Sequence, residues 1–571
     1  MKKLLAVLLL IAAPAAAAWE PPIGIPAPPD GLLPDRATPA SPSEWPGAEK
    51  VGSYYIDNTH GSCTDTANTY GYPNLPRCTL PNANISFIEG AYMHLVGGGA
   101  NYSITANRNW TSAGTEANPV VITGSLSPVI EATDDFIQLG GSWIIIQGGI
   151  TFEESRILDN SATTVDHVLI RDITIHNTTG TSGGCINLSR SADAFYNEYL
   201  VVYDVHVSQC GPDFDPLVTH DIHCYQGSNG ARFHWVVDSH LEFCGGDSIR
   251  TGTNEGGGHA ANRASDIYIG RNEFNDSGEN AVDAKNAVRT VFSENEMHDF
   301  LDGADSGAEV ITVHEEAIDT AIIFNEIYEG RYGINTTASS GALSGVYIVG
   351  NVFHDIHHYA ADTGYDIDDI GQSYGNAINL GHGAASDCYV VNNTFFNNDR
   401  HFAMEVNVTS GCVIVGNIFD TPIGGSWGIG FENGTVHTAS TITNNIFGTG
   451  TWNRAQVSSS TYATLAAYTT AHATKCSACE SADPALTDPE NGDFTIPEAS
   501  PAVDSSVETN AYDAYFGVFG VAITYDRAGL ARPQARVWDM GAYEFDGVGD
   551  PPPPPPPAGE RTHKQIMRRR P

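Results

Sequence analysis

The stretch IYIGRNEF at 267–274 returns six times downstream: VFSENEM at 291–297, AIIFNEI at 321–327, VYIVGNVF at 346–353, YVVNNTF at 389–395, VIVGNIF at 413–419 and TITNNIF at 441–447. Every copy runs apolar, any, apolar, one or two polar residues, asparagine, any, apolar. The asparagines are Asn272, Asn295, Asn325, Asn351, Asn393, Asn417 and Asn445. They recur at about 23 to 30 residues, except across the insertion AADTGYDIDDIGQSYG at 360–375. That interval is the length of one coil of a solenoid. Alternating apolar residues mark a strand with one buried face, and the asparagine falls where the chain turns toward the next sheet. An asparagine ladder inside the solenoid is expected to satisfy the backbone groups of that turn. An antiparallel sandwich requires hairpin dipeptides between strands, and these are mostly missing.

Fainter copies, HVLIRDITIHN at 167–177, LVVYDVHVSQC at 200–210 and FHWVVDSHLEF at 233–243, extend the pattern upstream. The sequence therefore predicts an all-β protein, a right-handed parallel β-helix with repeats over 140–450, an N-terminal cap over 50–139 and a C-terminal cap over 451–546. Outside these lie a Pro-rich leader at 19–49 and a Pro-rich linker with a basic tail at 547–571.

Lys2 and Lys3, the apolar run Leu4 to Ala13 and the small residues Ala15 to Ala18 read as a cleavable secretory signal over 1–18. No later stretch reaches the roughly 20 apolar residues that a membrane-spanning helix needs. Asp plus Glu total 68 against 27 Lys plus Arg, a formal charge of −41, which repels nucleic acid. The expected setting is secreted, periplasmic or cell-surface, and the expected state a monomer. Ten cysteines fit an oxidising compartment. Local context pairs Cys63 with Cys78, Cys210 with Cys244, Cys388 with Cys412 and Cys476 with Cys479. For the pairs that are stacked one repeat apart, buried thiols are the alternative.

The second strand of each coil reads GCINLSR, HDIHCYQG, GDSIRTGT, ENAVDAKNA, EVITVHEE, YGINTT, NAINLGHG and FAMEVNV. With Ile186, Ile222, Ile249, Val282, Ile311, Ile334, Ile378 and Met404 facing inward, the next residues face outward as a row. That row is Asn187, His223, Arg250, Asp283, Thr312, Asn335, Asn379 and Glu405. A second row, two residues on, is Ser189, Tyr225, Gly252, Lys285, His314, Thr337, Gly381 and Asn407. In-register parallel strands then set Asp283 beside Arg250 and Lys285 beside His314, concentrating scarce cations and imidazoles within an acidic shell. A solvated face of ion pairs is the bland alternative.

The repeated N-x-F turns, together with SYYIDNTHGS at 53–62, GTEANPVVITG at 114–124, SPAVDSS at 500–506 and RPQARVWDMGAYEF at 532–545, resemble exported proteins of the pectate-lyase-like parallel β-helix family. SGENAVDAKNAV at 277–288 is similar to the segment that carries a lysine in several lyases of that family. The resemblance implies β-elimination on an acidic, uronate-containing polysaccharide. That reaction needs a base for the proton alpha to the uronate carboxyl, a cation to neutralise the carboxylate and an acid for the departing oxygen. Lys285 is the candidate base, Arg250 its cationic neighbour, and His314 or Tyr225 the acid. His223, Tyr225 and Asn335 are candidate substrate contacts. Calcium is the usual neutraliser in such lyases, and Asp247, Glu279, Asp283 and Glu309 are its candidate ligands. The chain departs from the alginate-lyase pattern by placing His314 where an arginine is expected. Two other classes stay open: a glycoside hydrolase using carboxylates among Asp247, Asp283 and Glu309, and a non-catalytic sugar binder gripping through His223, Tyr225 and Arg250.

Overall fold

The computed structural model describes residues 19–545, except 30–46, 82–83, 133–135, 160–163, 179–181, 189–196, 212–220, 229, 253–262, 301–308, 315, 338–342, 359–374, 382–385, 406–407, 409, 423–426 and 534–536. The signal segment, most of the Pro-rich leader, the insertion and the basic tail lie outside the described residues.

The chain is a parallel β-helix. Coils contribute strands to three ladders, and strands pair in parallel with their counterparts one coil on; at the C-terminal end Asn453–Val457 also pairs antiparallel with Ser460–Tyr462. The first ladder runs through Ala231–Val237, Ser265–Gly270, Val288–Ser293, Ile318–Ile323, Ser344–Val349, Ser386–Val391 and Cys412–Val415. The second runs through His240–Cys244, Glu273–Asn275, Glu296–His298, Glu326–Tyr328, Val352–His354, Thr394–Phe396 and Ile418–Asp420. The third holds Ser182–Asn187, Asp221–Gly227, Ile249–Thr251, Val282–Lys285, Glu309–His314, Tyr332–Thr337, Asn376–Leu380 and Arg400–Met404. Stacking begins earlier than the visible repeats, since Tyr54–Asp57 already pairs in parallel with Tyr92–Val96.

The repeated asparagine makes the corner between the first and second ladders. The residue before it is left-handed in every coil, with φ of 52° at Arg271, 56° at Glu294, 57° at Phe324 and 52° at Asn392. For a non-glycine residue that conformation costs about 1 kcal/mol. The asparagine offsets it by closing a ladder. Asn325 donates through its backbone N (2.9 Å) and its Nδ2 (3.0 Å) to Asn351 Oδ1, while Asn351 Nδ2 donates to Ile322 O at 2.8 Å and Asn393 Oδ1 at 3.0 Å. The same doubly bonded link joins Asn272 to Asn295, Asn295 to Asn325, Asn393 to Asn417 and Asn417 to Asn445. Gly350 shows the crowding there: at φ +68° a Cβ would meet Phe324 Cε1 at 2.4 Å.

Inside, apolar side chains stack coil over coil. Phe353, Phe395, Phe419 and Phe447 form one column with ring centroids 5.0, 5.0 and 5.3 Å apart. Outside, the first ladder presents Trp235, Tyr268, Tyr347 and Tyr389, and two segments cover it. One is Trp19 to Pro29, where composition alone suggested a spacer. Trp19 Nε1 donates to Asp238 Oδ2 (2.7 Å), Ile23 N to Glu294 Oε2 (2.7 Å) and Trp235 Nε1 to Pro26 O (2.8 Å). The other is the helix Asn510–Phe519, whose Tyr515 hydroxyl donates to Gly24 O at 2.7 Å. The later coils of the second ladder are covered by the C-terminal segment, through Phe494, Ala542 and Tyr543 and the Arg527–Glu326 ion pair at 2.7 Å.

Disulfides join Cys63 to Cys78, Cys388 to Cys412 and Cys476 to Cys479, as expected. The expected Cys210–Cys244 bond is not formed. The two are stacked in register, but each points into the solenoid and bonds across it to a third-ladder cysteine one coil earlier, Cys210 to Cys185 and Cys244 to Cys224. Cys388 and Cys412 bond along the stack, at a Cα separation of 4.6 Å. Among the described residues no helix is long and apolar enough to cross a membrane.

Asn351→Ala removes the acceptor of the Asn325 backbone N–H and the amide donor to Ile322 O in a buried site, and one of the bonds of Asn325 Nδ2 and of Asn393 Oδ1. It is expected to lower stability by about 3 kcal/mol in denaturant unfolding, with the far-ultraviolet strand signal unchanged before the transition.

Candidate functional site

With the outer face of the first ladder covered, the outward groups of the third ladder are the place to look for chemistry. In the register seen, one outward row runs Asn187, Gln226, Arg250, Asp283, Thr312, Asn335, Asn379 and Ala403. Six of the eight positions match the sequence reading, and Arg250 does stand beside Asp283. Lys285 stands opposite His314. The side chains of His314 and Thr337, and residues Ser189 and Asn407, lie outside the described residues.

Two strands are read differently. In Asp221–Gly227 the residue level with Ile249 is Tyr225, not Ile222. Tyr225 is therefore a core residue, fully buried, with its hydroxyl 2.6 Å from His234 Nδ1. It touches no substrate and supplies no acid. Its ring fills the inward position that hydrophobicity alone gave to Ile222. In Arg400–Met404 the residue level with Ile378 is Phe402 and Met404 pairs with Leu380, so Glu405 drops to the level of Gly381. Its carboxylate still accepts from Asn379 Nδ2 at 2.8 Å.

His223 leaves the row it was assigned to and reaches Arg250 all the same. It sits near the start of its strand, 1 % exposed, with Nε2 3.1 Å from Arg250 Nη1 and Nδ1 3.1 Å from Asp247 Oδ2. The Arg250 guanidinium donates toward Nε2, and the Asp247 amide nitrogen donates to the same Nδ1 at 3.0 Å. Asp247 is fully buried; its Oδ1 accepts from Asn280 Nδ2 at 2.7 Å, and Thr312 Oγ1 reaches Asn280 Oδ1 at 3.4 Å. Asn280 is the residue sequence reasoning missed, although it sits inside the quoted SGENAVDAKNAV and faces both neighbouring coils.

Lys285 Nζ lies 2.5 Å from Asp283 Oδ2, with the lysine side chain 12 % and the aspartate 2 % exposed. Glu279 stands among these groups. Burial, then the charges of Asp247 and Asp283, push its carboxyl up to about 7, against the opposing pull of His223 and Lys285. Glu309 and Asn335 form a neighbouring pair: Asn335 Nδ2 donates to Glu309 Oε1 at 3.0 Å, and Asn379 Nδ2 donates to Asn335 Oδ1 at 3.1 Å.

The four carboxylates assigned to calcium divide accordingly. Asp247, Glu279 and Asp283 crowd one another electrostatically, and Asp247 Oδ2 faces His223 Nδ1 at 3.1 Å. Glu309 already accepts from Asn335. The group of three ligand atoms within 4.8 Å of one another, among the described residues, is a different one on the second ladder.

Fold and site together define a parallel β-helix protein with a row of ionic groups on the outward face of one ladder. No family model and no curated protein matches the chain. Solved structures that it resembles include the PL6 family alginate lyase AlyGC, at a TM-score of 0.41 and 11 % identity over 82 % of this chain. The chain spans 57 % of the length of that lyase. Others are the pectate lyase Pel9A, at 0.36 and 13 % over 88 % of this chain and 98 % of its own, and a PL6 family polysaccharide lyase from Pseudopedobacter saltans, at 0.33 and 12 % over 73 % and 96 %. The fold itself is established by the strand pairing of the chain.

Glu279 carries a pH signature. An unfolded chain releases this proton near the ordinary 4.5, whereas the folded protein holds it to about 7. Stability attributable to this group is therefore intact below about pH 4.5 and falls as pH rises toward 7. Glu279→Gln is expected to raise the melting temperature at about pH 8 and to change it little at about pH 4; equal gains at both would contradict the assignment.

Proposed function

We propose that the chain is an exported enzyme that cleaves an acidic, uronate-containing polysaccharide by β-elimination on the outward face of the third ladder. The observation that carries this reading is the placement of Arg250, Asp283 and Lys285 on two consecutive coils, in register, within a chain where cations are scarce. Arg250 neutralises the uronate carboxylate. Lys285, as the free amine, takes the proton from the carbon alpha to that carboxylate; the electron pair moves to form the new double bond, and the bond to the departing glycosidic oxygen breaks. His314, opposite Lys285 in the register, is assigned the return of a proton to that oxygen. Asp283 holds the Lys285 ammonium in the resting site, and the ammonium must give its proton to Asp283, the base in contact with it, before the amine can act. Asn335 and His223 are left with positioning: Asn335 braces the coil beyond Asp283, and His223 fixes Arg250. Asp247, Glu279 and Asp283 would hold a calcium ion, which when bound would add positive charge against the uronate carboxylate. The five disulfides of the described residues fit the oxidising setting that export implies.

One observation favours a second reading. Glu279, held protonated up to about 7, stands beside Asp247 and Asp283, and a glycoside hydrolase needs one carboxyl as acid and another as base. The two readings are separated by incubating the protein with alginate, pectate and glycosaminoglycans. A lyase yields the ultraviolet absorbance of an unsaturated product; a hydrolase yields new reducing ends without it. Binding without either product would mark a non-catalytic binder. For the lyase, Lys285→Ala is expected to lower turnover by at least about 100-fold, and a calcium chelator to lower it in the wild type. Near-full turnover of Lys285→Ala would overturn the role given to the lysine.

A further inference from the structure

Away from the third ladder, two imidazoles and a carboxylate converge on the second. His206 and His240 occupy the same position on consecutive coils, paired Cα to Cα. Their rings stack 5.0 Å apart with 7° between planes. Glu242, two residues beyond His240 and so on the same face of the strand, lies against both. Its Oε1 is 3.0 Å from His206 Nε2, and its Oε2 is 3.7 Å from His240 Nε2. All three ligand atoms lie within 4.8 Å of one another.

We propose that His206, His240 and Glu242 form a binding site for a divalent transition metal ion, zinc by the character of its ligands, independent of the reaction proposed for the third ladder. Two neutral imidazoles and one carboxylate are a zinc set, whereas calcium and magnesium prefer oxygen alone. Ligand atoms around a tetrahedral zinc at about 2.1 Å stand about 3.4 Å apart; the two carboxylate oxygens of Glu242 reach one imidazole each, at 3.0 and 3.7 Å, and one ligand atom from each residue lies within 4.8 Å of the others. Seating an ion draws the three side chains together from separations of up to 4.8 Å.

The backbone beneath the site is held still. Four residues after His206, Cys210 is bonded across the solenoid to Cys185; two residues after Glu242, Cys244 is bonded to Cys224. The left-handed residues Gln209 and Phe243 turn those cysteines inward while the ligands stay outward. Asn275 Oδ1, 2.9 Å from His240 Nε2, holds the ring until an ion replaces that contact. The His206 side chain is 37 % exposed and that of Glu242 16 %, so the site opens to solvent and leaves room for water as a fourth ligand. A bound ion would clamp the two coils that also carry His223 and Arg250.

The test uses the full mature chain without a histidine tag, stripped of metal by a chelator. One equivalent of cobalt(II) is expected to give the intense visible bands of a four- or five-coordinate site, and zinc to abolish them. His206→Ala and Glu242→Gln are each expected to weaken zinc binding by more than tenfold in calorimetry, with the circular dichroism of the metal-free proteins unchanged. Because either variant can fail to fold, pulsed electron paramagnetic resonance of the wild type with one equivalent of copper(II) supplies a second readout, with two coordinated imidazoles expected. A six-coordinate cobalt spectrum, undiminished zinc affinity in a folded His206→Ala/His240→Ala double variant, or fewer than two imidazoles on copper would overturn the proposal.

Discussion

The corner asparagine holds the molecule in register. Its amide gives and takes hydrogen bonds along the stack, so that each coil is fixed at the height and phase of its neighbours. A parallel ladder by itself tolerates slippage wherever strands are short, and many strands of the second ladder are three residues long. A doubly bonded amide at one corner removes that freedom, because a slip of one residue would bury two donors without acceptors. Every outward row, including the one with Arg250 and Asp283, inherits its alignment from this column.

This accounts for what could be read from sequence and what could not. The corner has a fixed residue type and apolar residues at fixed offsets, so seven copies were visible and their stacking followed. Upstream, where Asp172, Asp204 and Asp238 take the left-handed position ahead of residues other than asparagine, the repeats fade although the coils persist. Rows on the third ladder were legible where the inward residue was aliphatic, as at Ile249, Val282, Ile311, Ile334 and Ile378. The reading slipped at the two strands where an aromatic fills the inward position, Tyr225 and Phe402. A tyrosine beside an isoleucine looks like a surface residue; only the neighbouring His234, placed to meet its hydroxyl, makes burial acceptable. The cysteines slipped for a related reason: equal position in the repeat gives equal height, not mutual direction.

The third ladder shows how a charged cluster persists at low exposure. Arg250 is held by His223, Lys285 by Asp283, and Asp247 by Asn280, so that most charges meet a polar partner. Glu279 carries the residual imbalance and keeps its proton instead. Buried ionic groups of this kind are costly for folding, and their concentration on one face, with the first ladder covered by apolar packing, separates the part of the solenoid that holds the molecule together from the part available for chemistry.

Segments from before and after the solenoid also meet over the first ladder, where Tyr515 bonds Gly24 across 491 residues of sequence. A linear spring of coils is ordinarily free to fray from either tip, but here both tips are buckled onto the middle. Trp19 has its partner at Asp238, 219 residues later. The opening segment must therefore wait through the winding of half the solenoid before it can dock, and the closing helix must wait for all of it. Such a molecule matures from the centre outward, and its last act of folding is to fasten its own beginning.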